Sequence, residues 1–167
     1  WRSKLPWLRK GQLRAHPMTR PLRILHVDPE LDWGGGEAQV FELTRYLHRM
    51  GHFSQVATPP RGLLAARMRR ESLPFEPLSV RNNLDGLAGF RLRKLAKAGR
   101  YDLIHFHTSR AHALCPWLYK LPLARLVTKR MDYAVRRNPI TTALYIKSVV
   151  VEIAISPAVR AALHLSL

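Results

Sequence analysis

From Leu22 onward, short apolar runs alternate with amphipathic segments, and this alternation restricts the possible fold more than any other feature of the sequence. The runs are rich in β-branched and aliphatic residues, and they read LRILHVD (22–28), FSQVAT (53–58), FEPLSV (75–80, the weakest), DLIHFH (102–107), ARLVTK (124–129) and VVVEIAIS (149–156). Runs of this length predict strands buried on both faces. Their alternation with helices predicts an α/β fold with an open, doubly wound parallel sheet.

The segments between the runs have helical periodicity. In EAQVFELTRYLHRMG (37–51), apolar residues recur at helical spacing, and Gly51 follows where a C-terminal cap is expected. GLLAARMRRES (62–72) and LDGLAGFRLRKLAKAGR (84–100) are more basic. The second carries Arg91, Arg93, Lys94 and Lys97. These side chains predict either a solvated face or a cationic surface that contacts a membrane.

The charge balance limits the classes of partner. The 28 Lys and Arg residues against 11 Asp and Glu residues give a net charge of +17. Such a surface attracts phosphates, anionic lipid or nucleic acid, and charge alone does not choose among them. Cys115 is the only cysteine, which excludes an internal disulfide and a thiolate-only metal cage and favours the cytosol.

Residues 1–20 differ from the rest of the chain. They are basic and contain no acidic residue. We assign residues 1–20 to a tail, either disordered or upstream of a true start at Met18, and residues 21–167 to one domain. As an alternative, Trp1 and Trp7 could anchor the tail to lipid. No apolar run reaches the roughly 18 to 20 residues that cross a bilayer, so no membrane span is predicted.

Three consecutive glycines, Gly34, Gly35 and Gly36, precede the first predicted helix. In an open α/β sheet this loop lies where helix amides bind anions. The spacing is not G-x-G-x-x-G and no P-loop lysine follows, which argues against a dinucleotide or ATP site. Two interpretations stay open: a loose connection that needs positive φ angles, or close approach of the backbone to a ligand. Glu37 adds charge at the helix start and could accept hydrogen bonds from a sugar.

A second motif, HFHTSRAH (105–112), ends a predicted strand. His105 and His107 are two residues apart, so they project to the same side, and one of them is expected to face a ligand cleft. With His112 they could form a zinc set, or the pair could be buried and structural. We favour a histidine that hydrogen-bonds or exchanges protons beside a sugar.

Two further polar segments follow predicted strands. DPELD (28–32) carries three carboxylates, which we expect to be solvated and not metal ligands. TKRMDYAVRRNP (128–139) concentrates positive charge around Asp132 and Asn138. This loop could surround a phosphorylated or carboxylated ligand, or it could simply be solvated.

Five motifs follow one another in the order WGGGEAQV, LHRMGH, YDLIHFHTSRAHAL, LVTKRMDYAVRRNP and IAISPAVRAAL. Together they resemble the N-terminal domain of family-4 glycosyltransferases of the GT-B fold, over about residues 21–165. The resemblance implies two Rossmann-like domains, of which the N-terminal one mainly holds the acceptor and the C-terminal one the nucleotide-sugar. It also implies retaining transfer without an obligatory metal or other cofactor, onto a lipid-linked or saccharide acceptor.

The resemblance assigns roles to individual residues. The glycine triplet would approach the donor diphosphate or an acceptor group, and His107 would contact the transferred sugar or the acceptor as the catalytic histidine. Arg130 and Asp132 would belong to a polar substrate-binding loop, and Ser156 would open a helix near the interdomain hinge.

The C-terminal domain of such enzymes has no counterpart in this sequence, so we expect the chain to be inactive alone and completed by a second domain in cis or in trans. The predicted setting is cell-envelope polysaccharide or lipopolysaccharide assembly in the cytoplasm, at the anionic inner face of the cytoplasmic membrane. Two alternatives stay open: a non-catalytic half-protein that binds a partner domain, and a basic nucleic-acid-binding module. Only the net charge supports the latter, and no recognition motif does, so nucleic acid is not a predicted partner.

Overall fold

Six parallel strands form a single sheet in the computed structural model, which describes residues 20–129 and 151–154. In chain order the strands are β1 (Arg23–Val27), β2 (Phe53–Thr58), β3 (Phe75–Pro77), β4 (Leu103–Phe106), β5 (Ala124–Lys129) and β6 (Val151–Ala154). Their order across the sheet is β3-β2-β1-β4-β5-β6, and every neighbouring pair is parallel. The predicted doubly wound α/β fold is therefore confirmed.

Helices connect the strands on both faces of the sheet. They are α1 (Gly35–Arg49), α2 (Leu63–Arg70), α3 (Gly86–Gly99), α4 (Ser109–His112) and a 3₁₀ helix (Cys115–Leu118). Gly51, just beyond α1, has a φ of +83°, as expected for a helix that ends on a glycine. Asp85 begins α3, because its carboxylate accepts a hydrogen bond from the Ala88 amide at 3.0 Å. The same kind of cap, from the Thr108 hydroxyl, begins α4, which the periodicity did not predict.

The two faces of the sheet have separate apolar cores. Leu25 of β1 and Phe106 of β4 pack with Leu92 of α3 in one core. On the other face, Val56 of β2 packs with Val40 of α1 and with α2. Because side chains alternate along a strand, residues flanking Leu25 point to the second face.

Arg20, the last residue that we assigned to the tail, forms an ion pair with Asp102 at 2.5 Å. Hydrogen bonding from the Arg20 guanidinium lowers the pKa of Asp102. Within the described ranges, no helix is long and apolar enough to cross a lipid bilayer.

Because α3 packs against the 3₁₀ helix, we expect replacement of Gly89 by alanine to destabilise the fold. A Cβ added at Gly89 would lie 2.4 Å from two atoms of the Trp117 indole, whereas one added at Gly35 would meet nothing within 4 Å. Alanine normally stabilises a helix interior by about 1 kcal/mol relative to glycine. We expect Gly89→Ala instead to lower the free energy of unfolding by about 1–3 kcal/mol, because the indole must move.

Urea unfolding measures this difference, with Gly35→Ala as the matched control that leaves stability unchanged or slightly raised. A Gly89→Ala variant as stable as the wild type would contradict the packing described here.

Candidate functional site

The candidate site lies at the carboxyl edge of β1 and β4. These strands are neighbours in the sheet, but the chain leaves them in opposite directions, and such a switch point opens a crevice for ligands. Val27 pairs with Phe106 at the strand ends, and the His107 amide donates to the Val27 carbonyl at 3.1 Å. The structure therefore brings the loop that follows β1, with its glycine triplet, to the same edge as His107.

The glycine triplet lies at the start of α1, and the space beside Gly35 is open. Gly34 is the residue before the helix, with extended backbone (φ −139°, ψ −168°). Among the described residues, Gly51 is the one glycine with positive φ, so the alternative that the triplet needs positive φ is wrong. A Cβ at Gly34 would approach only Glu37 Oε2, at 3.1 Å, and one at Gly35 would touch nothing. At Gly35, therefore, the missing side chain leaves open space at this edge of the sheet and is not required by packing.

Glu37 is part of the helix start itself. Its carboxylate accepts a hydrogen bond from the Gly34 amide at 2.7 Å, and the side chain is buried. This contact is half of a capping box and stabilises the first turn. A carboxylate acceptor beside backbone N–H donors suits a ligand that carries hydroxyl groups, although contact of Glu37 with a sugar stays a prediction.

The loop between β1 and α1 is held against α2. The Leu63 amide donates to the Leu31 carbonyl at 2.9 Å. The Arg67 guanidinium lies 3.9 Å from the centre of the Trp33 ring, a cation–π contact. These contacts fix the backbone that leads into the triplet.

Three buried histidines lie directly beneath this edge. His26 of β1 and His105 of β4 are register partners, and His107 projects to the same side. His26 Nδ1 lies 2.9 Å from His107 Nε2, and His26 Nε2 lies 3.0 Å from Ser54 Oγ. His105 Nε2 lies 2.6 Å from Thr128 Oγ1. His26 thus connects Ser54 to His107 through one continuous set of hydrogen bonds and orients the His107 ring.

Burial keeps His26 neutral. Desolvation, together with a smaller effect of the neighbouring His105, lowers its pKa to about 3. A neutral imidazole has one donor and one acceptor nitrogen, which matches its two partners. His105 and His107 are only 5% and 3% exposed, so neither lies open on the cleft, and the buried alternative describes their environment. The catalytic role of His107 stays a prediction.

The same cluster is where a metal ion could be held. One nitrogen from each of His26, His105 and His107 lies within 4.8 Å of the others, and in the described part of the chain this is the one such group of potential ligands. His112, which the sequence analysis considered as a possible third zinc ligand, is not part of this group. Zn–N bonds of about 2.0–2.1 Å would hold tetrahedral ligand nitrogens about 3.3 Å apart. The 2.9 Å separation of His26 and His107 is shorter and fits a direct hydrogen bond.

The acids of the β1–α1 loop have different environments. Asp28 is buried and accepts from the Glu30 amide at 3.2 Å, so the expectation that it is solvated is wrong. Glu30 Oε2 lies 3.5 Å from Arg110 Nη2 of α4. Asp32 is exposed as expected. The Glu30–Arg110 pair joins the loop after β1 to the helix after β4.

Several predicted residues cannot be placed. Arg130, Asp132 and Ser156 lie outside the described residues, as do the basic positions at 136 and 137. β5 ends at Lys129, on the same edge of the sheet as β1 and β4.

His26 was not predicted as a site residue. It lies within an apolar run and was interpreted only as part of a strand. Its position becomes informative once β1 is paired with β4, because His26 then stands beside His105.

The buried imidazole predicts a pH dependence of stability. The pKa of His26 falls from 6.5 to about 3 on folding, so between these values the unfolded chain binds more protons than the folded one. Stability therefore falls as pH decreases through this window, by up to about 1.4 kcal/mol per pH unit from this residue. His26→Asn, which cannot titrate, is expected to have a shallower slope.

Urea unfolding of both proteins between about pH 7 and about pH 5 measures the slopes, with circular dichroism confirming native structure at each pH. Equal slopes would show that His26 is not kept neutral by the fold.

Comparisons with known proteins agree with this architecture. Residues 33–165 match the sequence profile of Glycosyltransferase Family 4. A comparison with curated proteins finds no match. Among solved structures, Anabaena Alr3699/HepE in complex with UDP-glucose has a TM-score of 0.68 at 18% identity, covering 87% of this chain and 40% of that one.

Two more solved structures share the fold. A glycosyltransferase from Rickettsia africae has a TM-score of 0.61 at 20% identity, covering 81% of this chain and 37% of that one. Acinetobacter baumannii MurG has a TM-score of 0.61 at 13% identity, covering 82% and 42%. The chain thus spans about two fifths of the length of the solved structures that it matches. The profile match covers most of the sequence, and the described sheet is a Rossmann-like half of the GT-B fold, so the chain belongs to glycosyltransferase family 4.

Proposed function

We propose that this chain supplies the acceptor-side domain of a retaining glycosyltransferase, which transfers a sugar from a nucleotide-sugar to a lipid-linked or saccharide acceptor. The observation that carries the proposal is the open space in front of α1, where a Cβ at Gly35 meets nothing within 4 Å. Helix amides point at that space, and His107 follows the adjacent strand. Donors and an imidazole at one edge suit a sugar or a phosphate beside a reacting hydroxyl.

A nucleotide-sugar is the donor class that we favour. The HepE structures, which share the fold of this chain, contain UDP, UDP with glucose, or UDP-glucose. The nucleotide and its diphosphate would bind mainly to a second Rossmann-like domain, present in cis or in trans. Negative charge develops on the diphosphate as its bond to the sugar breaks, and cationic groups there would neutralise that charge. An enzyme must stabilise such a charge in the transition state. On this proposal the chain is inactive alone.

On the acceptor side, the hydroxyl that attacks the sugar must lose its proton. His107 would lie beside this group, and the contact of its Nε2 with His26 would hold the ring in one orientation. Glu37 and the helix amides would position hydroxyl groups of the sugar or acceptor. We propose transfer that needs no metal cofactor, with Arg130, Asp132 and Ser156 contributing to the same cleft.

We place this reaction in the cytoplasm at the inner face of the cytoplasmic membrane, in cell-envelope polysaccharide or lipopolysaccharide assembly. The net charge of +17 supports this setting. Anionic lipids attract each Lys or Arg near the surface by about 1 kcal/mol. Substrates that are lipid-linked are presented at such a surface.

The open space at Gly35 gives a direct test in the complete gene product. Gly35→Val is expected to lower turnover by about 100-fold, because its side chain would displace substrate by about an ångström or more. Its thermal stability should stay close to that of the wild type, since no atom contacts the added Cβ. Arg49→Val, at the other end of α1, controls for a β-branched residue in the same helix. Turnover with a panel of nucleotide-sugars is the measurement, and wild-type activity of Gly35→Val would remove the triplet from the site.

The role of His107 is tested separately. His107→Ala is expected to lower kcat by about 100-fold or more, with a smaller effect on the KM for acceptor, since general acid–base groups act mainly in the transition state. A variant that raises only KM would make His107 a binding residue. A wild type that binds nucleotide-sugar and acceptor but transfers nothing would favour the non-catalytic alternative.

A further inference from the structure

His107 is held by side chains of its own strand and of β1. His26 Nδ1 lies 2.9 Å from His107 Nε2, and the centres of the His105 and His107 rings are 3.8 Å apart. The other nitrogen of His26, Nε2, lies 3.0 Å from Ser54 Oγ of β2. All four side chains are buried. The state of His107 is therefore connected, through the His26 ring, to a hydroxyl that lies two strands away.

The contact between His26 and His107 joins two ring nitrogens, so it needs a proton on one of them and a lone pair on the other. His26 is neutral, because burial lowers its pKa to about 3, and it therefore carries a single ring proton. If that proton is on Nδ1, His26 donates to His107 and accepts from the Ser54 hydroxyl. If it is on Nε2, His26 donates to Ser54 Oγ and accepts from the Nε2–H of His107.

Only the second arrangement is compatible with a change in the protonation state of His107. A protonated imidazole carries a proton on each nitrogen, so its Nε2 must donate to His26. His26 then accepts at Nδ1, and its own proton is on Nε2, within reach of Ser54 Oγ. Neutral His107 with its proton on Nε2 uses the same bonds. Gain or loss of a proton at Nδ1 of His107 therefore leaves the bonds to His26 and Ser54 in place.

We propose that Ser54 and His26 are positioning residues that hold the proton of neutral His107 on Nε2, with the lone pair on Nδ1. This inference deepens the proposed function and rests on the role of His107 in it. As the sugar is transferred, the acceptor O–H bond breaks and its proton goes to Nδ1 of His107. The acceptor oxygen forms a bond to the sugar carbon, and the bond from that carbon to the diphosphate oxygen breaks with its electron pair left on the diphosphate. Ser54 acts through His26, whose ring lies between Ser54 and His107.

The tautomer is measured directly by nitrogen-15 NMR of the complete gene product, labelled at histidine and recorded without substrates at about pH 8, above the usual pKa of a histidine. The His107 signals are identified by their loss in His107→Ala. In the wild type we expect the proton on Nε2, and a proton on Nδ1 would overturn the proposal. In Ser54→Ala, the Nε2–H of His26 would be buried without its acceptor, which costs free energy. We therefore expect the protons of both His26 and His107 to move to Nδ1 in this variant.

Steady-state kinetics of the complete gene product test the consequence for catalysis. Ser54→Ala is expected to lower kcat by about tenfold or more with little change in either KM, because the tautomer is wrong while the substrate-binding groups are intact. Thr44→Val is the matched control, since it removes another buried hydroxyl, which donates to the Val40 carbonyl and not to a histidine. Equal kcat values for these two variants would overturn the proposal.

Two replacements of His26 separate hydrogen bonding from packing. His26→Asn offers a carbonyl that can accept from the Nε2–H of His107, whereas His26→Leu offers no acceptor. We expect His26→Asn to have a kcat about tenfold or more above that of His26→Leu, with circular dichroism showing that both are folded. Equal kcat values in the folded variants would contradict the proposal. Wild-type turnover of His107→Ala would reject the proposed function and leave the tautomer measurement unaffected, so the two conclusions can fail separately.

Discussion

The parallel pairing of β1 with β4 is the interaction on which the rest of the candidate site depends. Its register sets His26 beside His105 and ends both strands at the same level, with the His107 amide bonded to the Val27 carbonyl. The loop after β1 and the loop after β4, which are separated by more than half of the described chain, thereby meet at one edge of the sheet. Changing this register by one residue would turn each histidine to the opposite face of the sheet.

The interior next to this pairing is polar, which is uncommon for a sheet covered by helices. Burying an imidazole costs free energy unless its nitrogens find partners, and hydroxyls on the flanking strands β2 and β5 supply them. The two strands that carry Ser54 and Thr128 therefore support the histidines of the two central strands. Such a network fixes its central member most closely, because both nitrogens of the His26 ring are hydrogen-bonded.

Local sequence patterns predicted much of the fold. The features that depend on contacts between distant strands could not be predicted from them. FSQVAT and ARLVTK match β2 and β5 residue for residue, since short aliphatic runs bounded by turns have few other conformations. The glycine loop and His107 were placed at one edge by topology alone. His26 and Asp28 were not recognised, because burial of a polar side chain depends on neighbours from distant strands. The resemblance to family 4 came from the order of motifs and is confirmed by the profile match.

The contact between Glu37 and the Gly34 amide has a consequence for how the cleft receives a ligand. The first amides of an α-helix have no acceptor within the helix. One of them is engaged by a side chain that belongs to the same turn, at 2.7 Å. The helix end therefore has an internal acceptor, which keeps the first turn intact without any ligand, and open space beside Gly35. A ligand that binds there would meet a rim that is already folded, and its binding energy would not be spent on ordering the loop.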